Sequence, residues 1–181
     1  MTEIQTNRLF LRNFTLTDAP SVYQYAKNPK VGPIAGWPPH QSVADSRHYI
    51  EEYFMSPHIF AITLKTNPKS VIGLVGLELV ADGNGKDFMQ MGEAEISYWL
   101  GEPFWGQGIM PEAIQAVVTY GFEDCDLQAI WCGYKDGNLQ SKRAQEKQGF
   151  KYDHTVQRMF NPVLNEYIVE HFTKLTEADW E

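Results

Sequence analysis

The period of hydrophobic and polar positions changes repeatedly along the chain, and each change marks an element. Arg8-Leu9-Phe10-Leu11-Arg12-Asn13-Phe14 alternates as a first strand does. Thr17-Asp18 opens a short helix that Asn28-Pro29 ends. Residues 28–40 hold Pro29, Gly32, Pro33, Gly36, Pro38 and Pro39, so they read as a loop with Trp37 at its tip. A second helix runs from 42 to about 55, with Ser42 as N-cap. Strands over 59–66 and 71–80 flank Thr66-Asn67-Pro68-Lys69, which is turn chemistry and predicts a hairpin.

The second half of the chain has a different rhythm. A turn over 81–87, rich in Gly and Asp, leads into a long strand over 89–100. A helix begins near Pro111, with Ile114, Val117, Val118 and Gly121 on one face. Residues 127–134 form a buried strand, and Asp136-Gly137 is a turn. Asn138 caps a helix that Gly149 stops, and strands over 151–159 and 166–173 close the chain as a hairpin. The order is an antiparallel run, then strand–helix–strand–helix, then a hairpin, which predicts a mixed α/β fold.

Length places all of this in one domain over 1–181, since single cores commonly hold about 100–200 residues. With 43% hydrophobic and 13% aromatic residues the chain is not disordered. Two cysteines build no disulfide framework, which points to a reducing cytoplasm. Val71 to Val80 is the longest nearly apolar run, and it falls short of the ~18–20 residues of a membrane helix. The N-terminus has no signal-peptide pattern, so neither secretion nor membrane spanning is expected. The net charge of −8 disfavours a nucleic-acid partner and suits a cationic one. Most of that charge lies after residue 80, and Asp82, Asp87, Glu93, Glu95 and Glu102 suggest an acidic approach for an amine.

Phe104-Trp105-Gly106-Gln107-Gly108-Ile109-Met110-Pro111-Glu112 lies between a strand and a helix. Glycines there let successive N–H groups face an anion at a helix N-terminus, a geometry that holds phosphate oxygens. It is not a P-loop, because no Gly-Lys-Ser/Thr follows, and the third glycine of a dinucleotide fingerprint is absent. A second segment, Asn138-Leu139-Gln140-Ser141-Lys142-Arg143-Ala144-Gln145-Glu146-Lys147-Gln148-Gly149-Phe150, opens the next helix.

These two segments, with Thr6-Asn7-Arg8-Leu9-Phe10-Leu11-Arg12 and Glu95-Ile96-Ser97-Tyr98-Trp99-Leu100, resemble the GNAT superfamily of N-acetyltransferases. Within it the chain looks most like the ribosomal-protein N-terminal acetyltransferase branch. The resemblance spans nearly the whole chain. It implies α/β/α layers around a mixed, mostly antiparallel sheet of about seven strands with about four helices. It also implies acetyl-CoA as cosubstrate, with no metal. Gly106, Gln107, Gly108, Ile109 and Met110 would cradle its diphosphate through main-chain N–H groups. Trp105 departs from the Gln or Arg usual there, and Met110 from the usual Gly or Ala.

Acetyl transfer from a thioester to an amine needs a deprotonated amine, a stabilised oxyanion and a leaving thiolate that gains a proton. The resemblance implies that a backbone N–H around Tyr98, Trp99 or Leu100 polarises the thioester carbonyl, and that the same stretch pairs with pantetheine. Asn138 is the cofactor-side residue of the second segment and also a helix cap. Many members carry a tyrosine general acid seven residues after this Asn; here that position is Gln145, which cannot deliver a proton. Ser141 occupies the place of the branch's serine near the thiolate, so it is the candidate proton donor or hydrogen-bond stabiliser.

The base is less determined. Glu93 and Glu95 share a strand face with Ser97, and Glu95 is the preferred candidate. His154 and His171 are alternatives, and an amine arriving deprotonated needs no base. Lys142 and Arg143 are the cations nearest the cofactor helix, and neither Cys125 nor Cys132 reads as a nucleophile.

The reading that follows is an N-acetyltransferase acting on a protein or peptide α-amine by direct attack in a ternary complex. The alternatives are acetylation of a small amine (polyamine, amino acid or antibiotic) and a non-catalytic CoA-binding regulatory domain. The chain is expected to be a monomer or a homodimer.

Overall fold

A computed structural model describes residues 2–180. Eight strands form one sheet in the order β1-β2-β3-β4-β5-β6-β8-β7. They are β1 (Glu3–Gln5), β2 (Leu9–Asn13), β3 (Ile59–Leu64), β4 (Asn67–Leu79), β5 (Glu93–Leu100), β6 (Ala129–Lys135), β7 (Lys151–Asn161) and β8 (Glu166–Thr176). The helices are α1 (Ala19–Ala26), α2 (Gly32–Ala35), α3 (Val43–Tyr49), α4 (Ile109–Glu123), α5 (Leu139–Lys147) and α6 (Glu177–Trp180). Every neighbouring pair of strands is antiparallel except β5–β6. The mixed α/β expectation holds, with one strand more than the alternation reveals. The extra strand is β1, whose Glu3 lies opposite Arg12 and Ile4 opposite Leu11; three residues are too few to show a period.

Other boundaries shift for local reasons. Asn67, Pro68 and Lys69 belong to β4 rather than to the turn, because Asn67 already pairs with Leu64. The loop after Asn28 contains the single turn of α2, which Gly36 ends at φ 99°. Helix α3 gives way after Tyr49 to a π-helical turn over Ile50–Phe54. The Ser42 cap forms, its hydroxyl accepting from the Asp45 N–H at 3.0 Å.

Helices cover both faces of the sheet. Ile109, Ala113, Ile114, Val117 and Val118 form the buried stripe of α4 and pack on Leu77, Ile96 and Ile130. Across the sheet, Val22 and Ala26 of α1 pack with Ile50, Ala61, Leu74 and Trp99.

The β5–β6 junction positions the site. Its parallel ladder holds only Glu93 opposite Ala129, Ala94 opposite Ile130 and Glu95 opposite Trp131. Beyond these pairs β5 follows β4 as far as Leu100, opposite Gly73, while β6 follows β8 as far as Lys135, opposite Glu170. The sheet therefore opens between Ile96–Leu100 and the end of β6.

Gly73 lets β4 and β5 approach closely at the mouth of that opening. A Cβ at Gly73 would collide with the carbonyl oxygen of Trp99 and lie 3.1 Å from the Leu100 Cα. Backbone cannot swing aside as a side chain can, so Gly73→Ala should cost about 1–3 kcal/mol. The urea midpoint should fall with an unchanged slope; a midpoint equal to that of the parent chain would contradict the close approach.

Candidate active site

Two cavities meet at the opening in the sheet. One, of about 500 Å³, runs beneath the glycine loop and along α5; the other, of about 350 Å³, lies between α2 and the β7–β8 hairpin. Ile34, Ala35, Tyr98, Trp99, Asn138 and Ser141 line both, so they form the boundary where groups held in the two cavities would touch.

The larger cavity is built from backbone. Gly101 N donates to Ile72 O at 2.8 Å, which places Gly101 among the residues whose polar groups point at β4. Alternation then turns the N–H and C=O groups of Tyr98 and Leu100 the other way, into the opening. The Leu100 carbonyl is taken by the indole N–H of Trp105 at 2.7 Å. That bond accounts for a tryptophan in the loop: it straps the glycine loop to the end of β5. Gly106 and Gly108 both adopt φ 72°, left-handed values at which glycine carries no steric penalty. A Cβ at Gly106 would meet nothing within 4 Å, so that side of the loop is open. The first N–H groups of α4 have no intrahelical acceptor and carry the positive end of the helix dipole. This cradle fits an anionic diphosphate. Arg143 and Lys147 on α5 line the same cavity. Lys142 does not; it sits 3.8 Å from Glu146.

The loop is anchored from the start of the chain. Arg8 donates through Nε to Glu112 at 2.7 Å and through Nη1 to the Gln107 carbonyl at 2.8 Å. Thr6 donates its hydroxyl to the same carboxylate at 2.5 Å. Burial would raise the Glu112 pKa, but the bonds from Thr6 and Arg8 outweigh it and hold the carboxyl below its ordinary value. Glu112 thus sits ionised at a helix N-terminus beside an anion cradle, neutralised by Arg8.

Of the residues expected at the cofactor, Tyr98, Trp99, Leu100, Trp105, Gly106, Gly108, Ile109, Met110, Asn138 and Ser141 line the larger cavity. Gln107 is not among the lining side chains; its amide donates to the Pro103 carbonyl at 2.7 Å. Asn138 caps α5, accepting from the Ser141 N–H at 3.1 Å.

The smaller cavity holds carboxylates. Glu95 lines it, as do Glu78 of β4 and Glu170 of β8, neither of which the strand pattern singled out. Glu78 lies directly opposite Glu95 across the β4–β5 ladder and accepts from Ser97 Oγ at 3.3 Å. Burial, then the charge of Glu95, pushes the Glu78 pKa up. Burial also raises Glu170, against the nearby Lys86 ammonium. Glu95 is ion-paired with Lys86, whereas among the described residues Glu78 has no cation partner at bonding distance. A register signal was present in the sequence, since Glu78 is the charge that interrupts the apolar run of β4.

The other acids do not gather around the amine's path. Glu93 is buried on Trp131 Nε1 and Lys174 Nζ, each at 2.7 Å. Glu102 pairs with Lys30 at 2.6 Å, and Asp82 lies 3.9 Å from His58. The histidine alternatives are elsewhere too: His154 stacks on Phe172, and His171 bridges Asp136 and Thr155 at 2.8 and 2.7 Å. Neither lines the two cavities. Burial raises the Cys125 thiol, with Asp124 and Asp126 adding to the effect, and Cys132 is raised by burial as well. Among the described residues no group of three or more His, Cys, Asp or Glu is placed to hold a metal, and no helix is long and apolar enough to cross a membrane.

An opened parallel junction, a glycine loop and a capped helix thus converge on one site. The acetyltransferase (GNAT) domain family matches residues 8–151, and the chain belongs to it. It is an N-acetyltransferase of that family. An uncharacterized N-acetyltransferase, p20, of Bacillus licheniformis is 31% identical over 146 residues, 78% of each chain. Two solved structures share the fold at low identity. RimL, a ribosomal L7/L12 alpha-N-protein acetyltransferase in complex with coenzyme A, has a TM-score of 0.76 at 18% identity and covers 99% of this chain and 100% of its own. MccE, the microcin C7 self immunity acetyltransferase in complex with acetyl-CoA and AMP, has a TM-score of 0.75 at 20% identity and covers 94% and 93%.

The anchor at Arg8 and Glu112 is open to a direct test. Removing it by Arg8→Ala should speed amide hydrogen exchange at residues 106–110 by about tenfold while leaving the centre of the sheet protected. Unchanged exchange in the loop would mean that the anchor does not hold it.

Proposed function

We propose that this chain transfers acetyl from acetyl-CoA to a primary amine, the α-amine of a protein or peptide, by direct attack in a ternary complex. The observation that carries the proposal is the meeting of the two cavities at Tyr98, Trp99 and Ser141, beneath the inward-facing N–H groups of β5. Acetyl-CoA supplies an activated carbonyl and a thiolate leaving group. The N–H groups of the loop and the start of α4, with Arg143 and Lys147, are suited to its phosphates. The N–H of Tyr98 or Leu100 is suited to the carbonyl, where negative charge develops and a fixed donor in a dry site acts most strongly. Ser141, at the junction, is suited to hydrogen-bond the departing sulfur.

Glu78 is better placed than Glu95 to take the amine's proton. A general base must be ionised yet retain proton affinity, and burial beside Glu95 confers that on Glu78. Glu95, tied to Lys86, is better suited to attract and orient the ammonium form. Trp37, Tyr49, Tyr53 and Tyr134 provide apolar walls around these charges.

One observation favours a small-amine acceptor instead. Asn161 of β7 donates to the Gly36 carbonyl at 3.0 Å, closing the β7–β8 hairpin onto α2 over the smaller cavity. A peptide would thread past this bridge, whereas a compact amine would fit beneath it.

Incubation with acetyl-CoA, N-terminal peptides and a small-amine panel, read by mass spectrometry, separates the two. Acetyl mass on peptide α-amines supports the proposal; acetyl mass on small amines alone replaces it with the second reading. For whichever acceptor is used, Glu78→Gln should lower kcat/KM by about a hundredfold. In the parent chain kcat/KM should fall as pH drops through a pKa raised above the ordinary 4.5, because protonated Glu78 cannot accept a proton. Glu78→Gln should abolish that limb, and a variant that keeps it would exclude Glu78 as the base.

A further inference from the structure

The position seven residues after Asn138, held by Gln145, has no acid to offer, yet a phenol reaches the same place from another element. Tyr98 projects from β5 so that its hydroxyl lies 2.7 Å from Ser141 Oγ and 3.3 Å from Gln145 Nε2. Gln145 is 1% exposed, and its amide nitrogen also lies 3.1 Å from Ser141 Oγ. We propose that Tyr98 and Gln145 are positioning residues that together direct the Ser141 proton at the departing sulfur of CoA. The inference rests on the reading of Ser141 given above and adds what makes that serine a donor.

The donors and acceptors around Ser141 fix its free valence. The Gln145 amide oxygen accepts from Thr173 Oγ1 at 2.7 Å, which turns the NH₂ group toward Ser141 and Tyr98. One of its two N–H groups faces the Gly133 carbonyl, able only to accept, at 3.4 Å, and the other faces Ser141 Oγ at 3.1 Å. The Cys132 thiol lies 3.8 Å from the Tyr98 hydroxyl. The phenol proton goes to its nearest acceptor, Ser141 Oγ at 2.7 Å, rather than to the Ser141 carbonyl at 3.5 Å. A serine hydroxyl has two acceptor sites and one proton. Tyr98 and Gln145 occupy both acceptor sites, so the Ser141 proton is the one valence left over. Ser141 lines both cavities, and that proton has the cavity junction to point into.

Burial keeps the phenol in its neutral form. It pushes the Tyr98 pKa well above its usual value, so Tyr98 remains a donor rather than becoming a phenolate. Two accepted bonds polarise the serine O–H and strengthen it as a donor. No proton need leave Tyr98. The C–S bond breaks as the C–N bond becomes an amide, the sulfur departs with the electron pair, and Ser141 hydrogen-bonds the thiolate. The proton shed by the amine nitrogen balances the one the sulfur finally gains from solvent.

A double-mutant cycle tests the arrangement. Tyr98→Phe should lower kcat by about tenfold, the loss expected of one hydrogen bond acting on a charged group, with the KM for acetyl-CoA within about twofold. Tyr98→Phe combined with Ser141→Ala should be no slower than Ser141→Ala alone, because the phenol acts through the serine. Multiplicative losses, or a change confined to KM, would overturn the proposal.

A binding measurement decides it without turnover. At about pH 9, where thiolate is abundant in a free thiol, the parent chain should bind CoA more tightly than desulfo-CoA. Tyr98→Phe and Ser141→Ala should each reduce that preference by about tenfold. An intact preference in Tyr98→Phe would overturn the proposal even in the absence of any acceptor. A lost preference with no amine ever acetylated would retain it and overturn the acetyl-transfer reading alone.

Discussion

An interior strand normally satisfies its main-chain groups on both sides, and β5 does so only as far as Glu95. Past that residue the neighbour β6 leaves with β8, and the polar edge of Ile96–Leu100 faces a gap in the middle of the protein. Unpaired main-chain groups away from water are costly, so such a gap persists only where something pairs with it. Part of the edge is answered internally: the Leu100 carbonyl accepts from Trp105, and the Cys132 thiol lies 3.6 Å from the Ile96 carbonyl. The N–H groups of Tyr98 and Leu100 face the opening. The two cavities and their shared boundary follow from where this one ladder stops.

The charges divide around that gap according to what each side must hold. On the loop side, helix dipole and glycine N–H groups suit an anion, and the cations involved are few. Arg8 is occupied in neutralising Glu112 and holding Gln107. On the other side, three carboxylates share one cavity, and Lys86 pairs with one of them, Glu95. Like charges opposite one another on a ladder, as Glu78 and Glu95 are, destabilise a sheet unless something offsets them. Lys86 offsets one, and burial leaves the other with a raised proton affinity. The surplus of acids in the second half of the chain is therefore not one electrostatic device. Glu93 and Glu102 are spent on structural partners, and the acids that face the site include two that the chain order hides.

In the proposed reaction two elements share the task given to Ser141. Helix α5 supplies the serine and, one turn on, Gln145; strand β5 supplies the phenol above them. Gln145 lacks a dissociable proton, but Thr173 from β8 fixes its amide so that it donates where it is needed. A reading confined to one helix sees only the absent tyrosine.

Much was legible in the chain itself. Periods of two and of 3.6 located seven strands and the principal helices, because burial of one face imposes those periods whatever the final arrangement. The glycine loop and the Asn138 cap were legible because positive φ and helix capping are local demands met by few residue types. β1 escaped because three residues carry no period, and the turn after β3 shifted because Asn67 already pairs with Leu64. What only the tertiary structure decided was everything that depends on register between distant segments. The facing of Glu78 and Glu95, the pairing of Arg8 with Glu112 and the convergence of Tyr98, Ser141 and Gln145 each join residues whose separation along the chain says nothing of their distance. Local backbone chemistry is written in neighbouring residues, whereas a catalytic constellation is set by where strands stop pairing and helices pack across them.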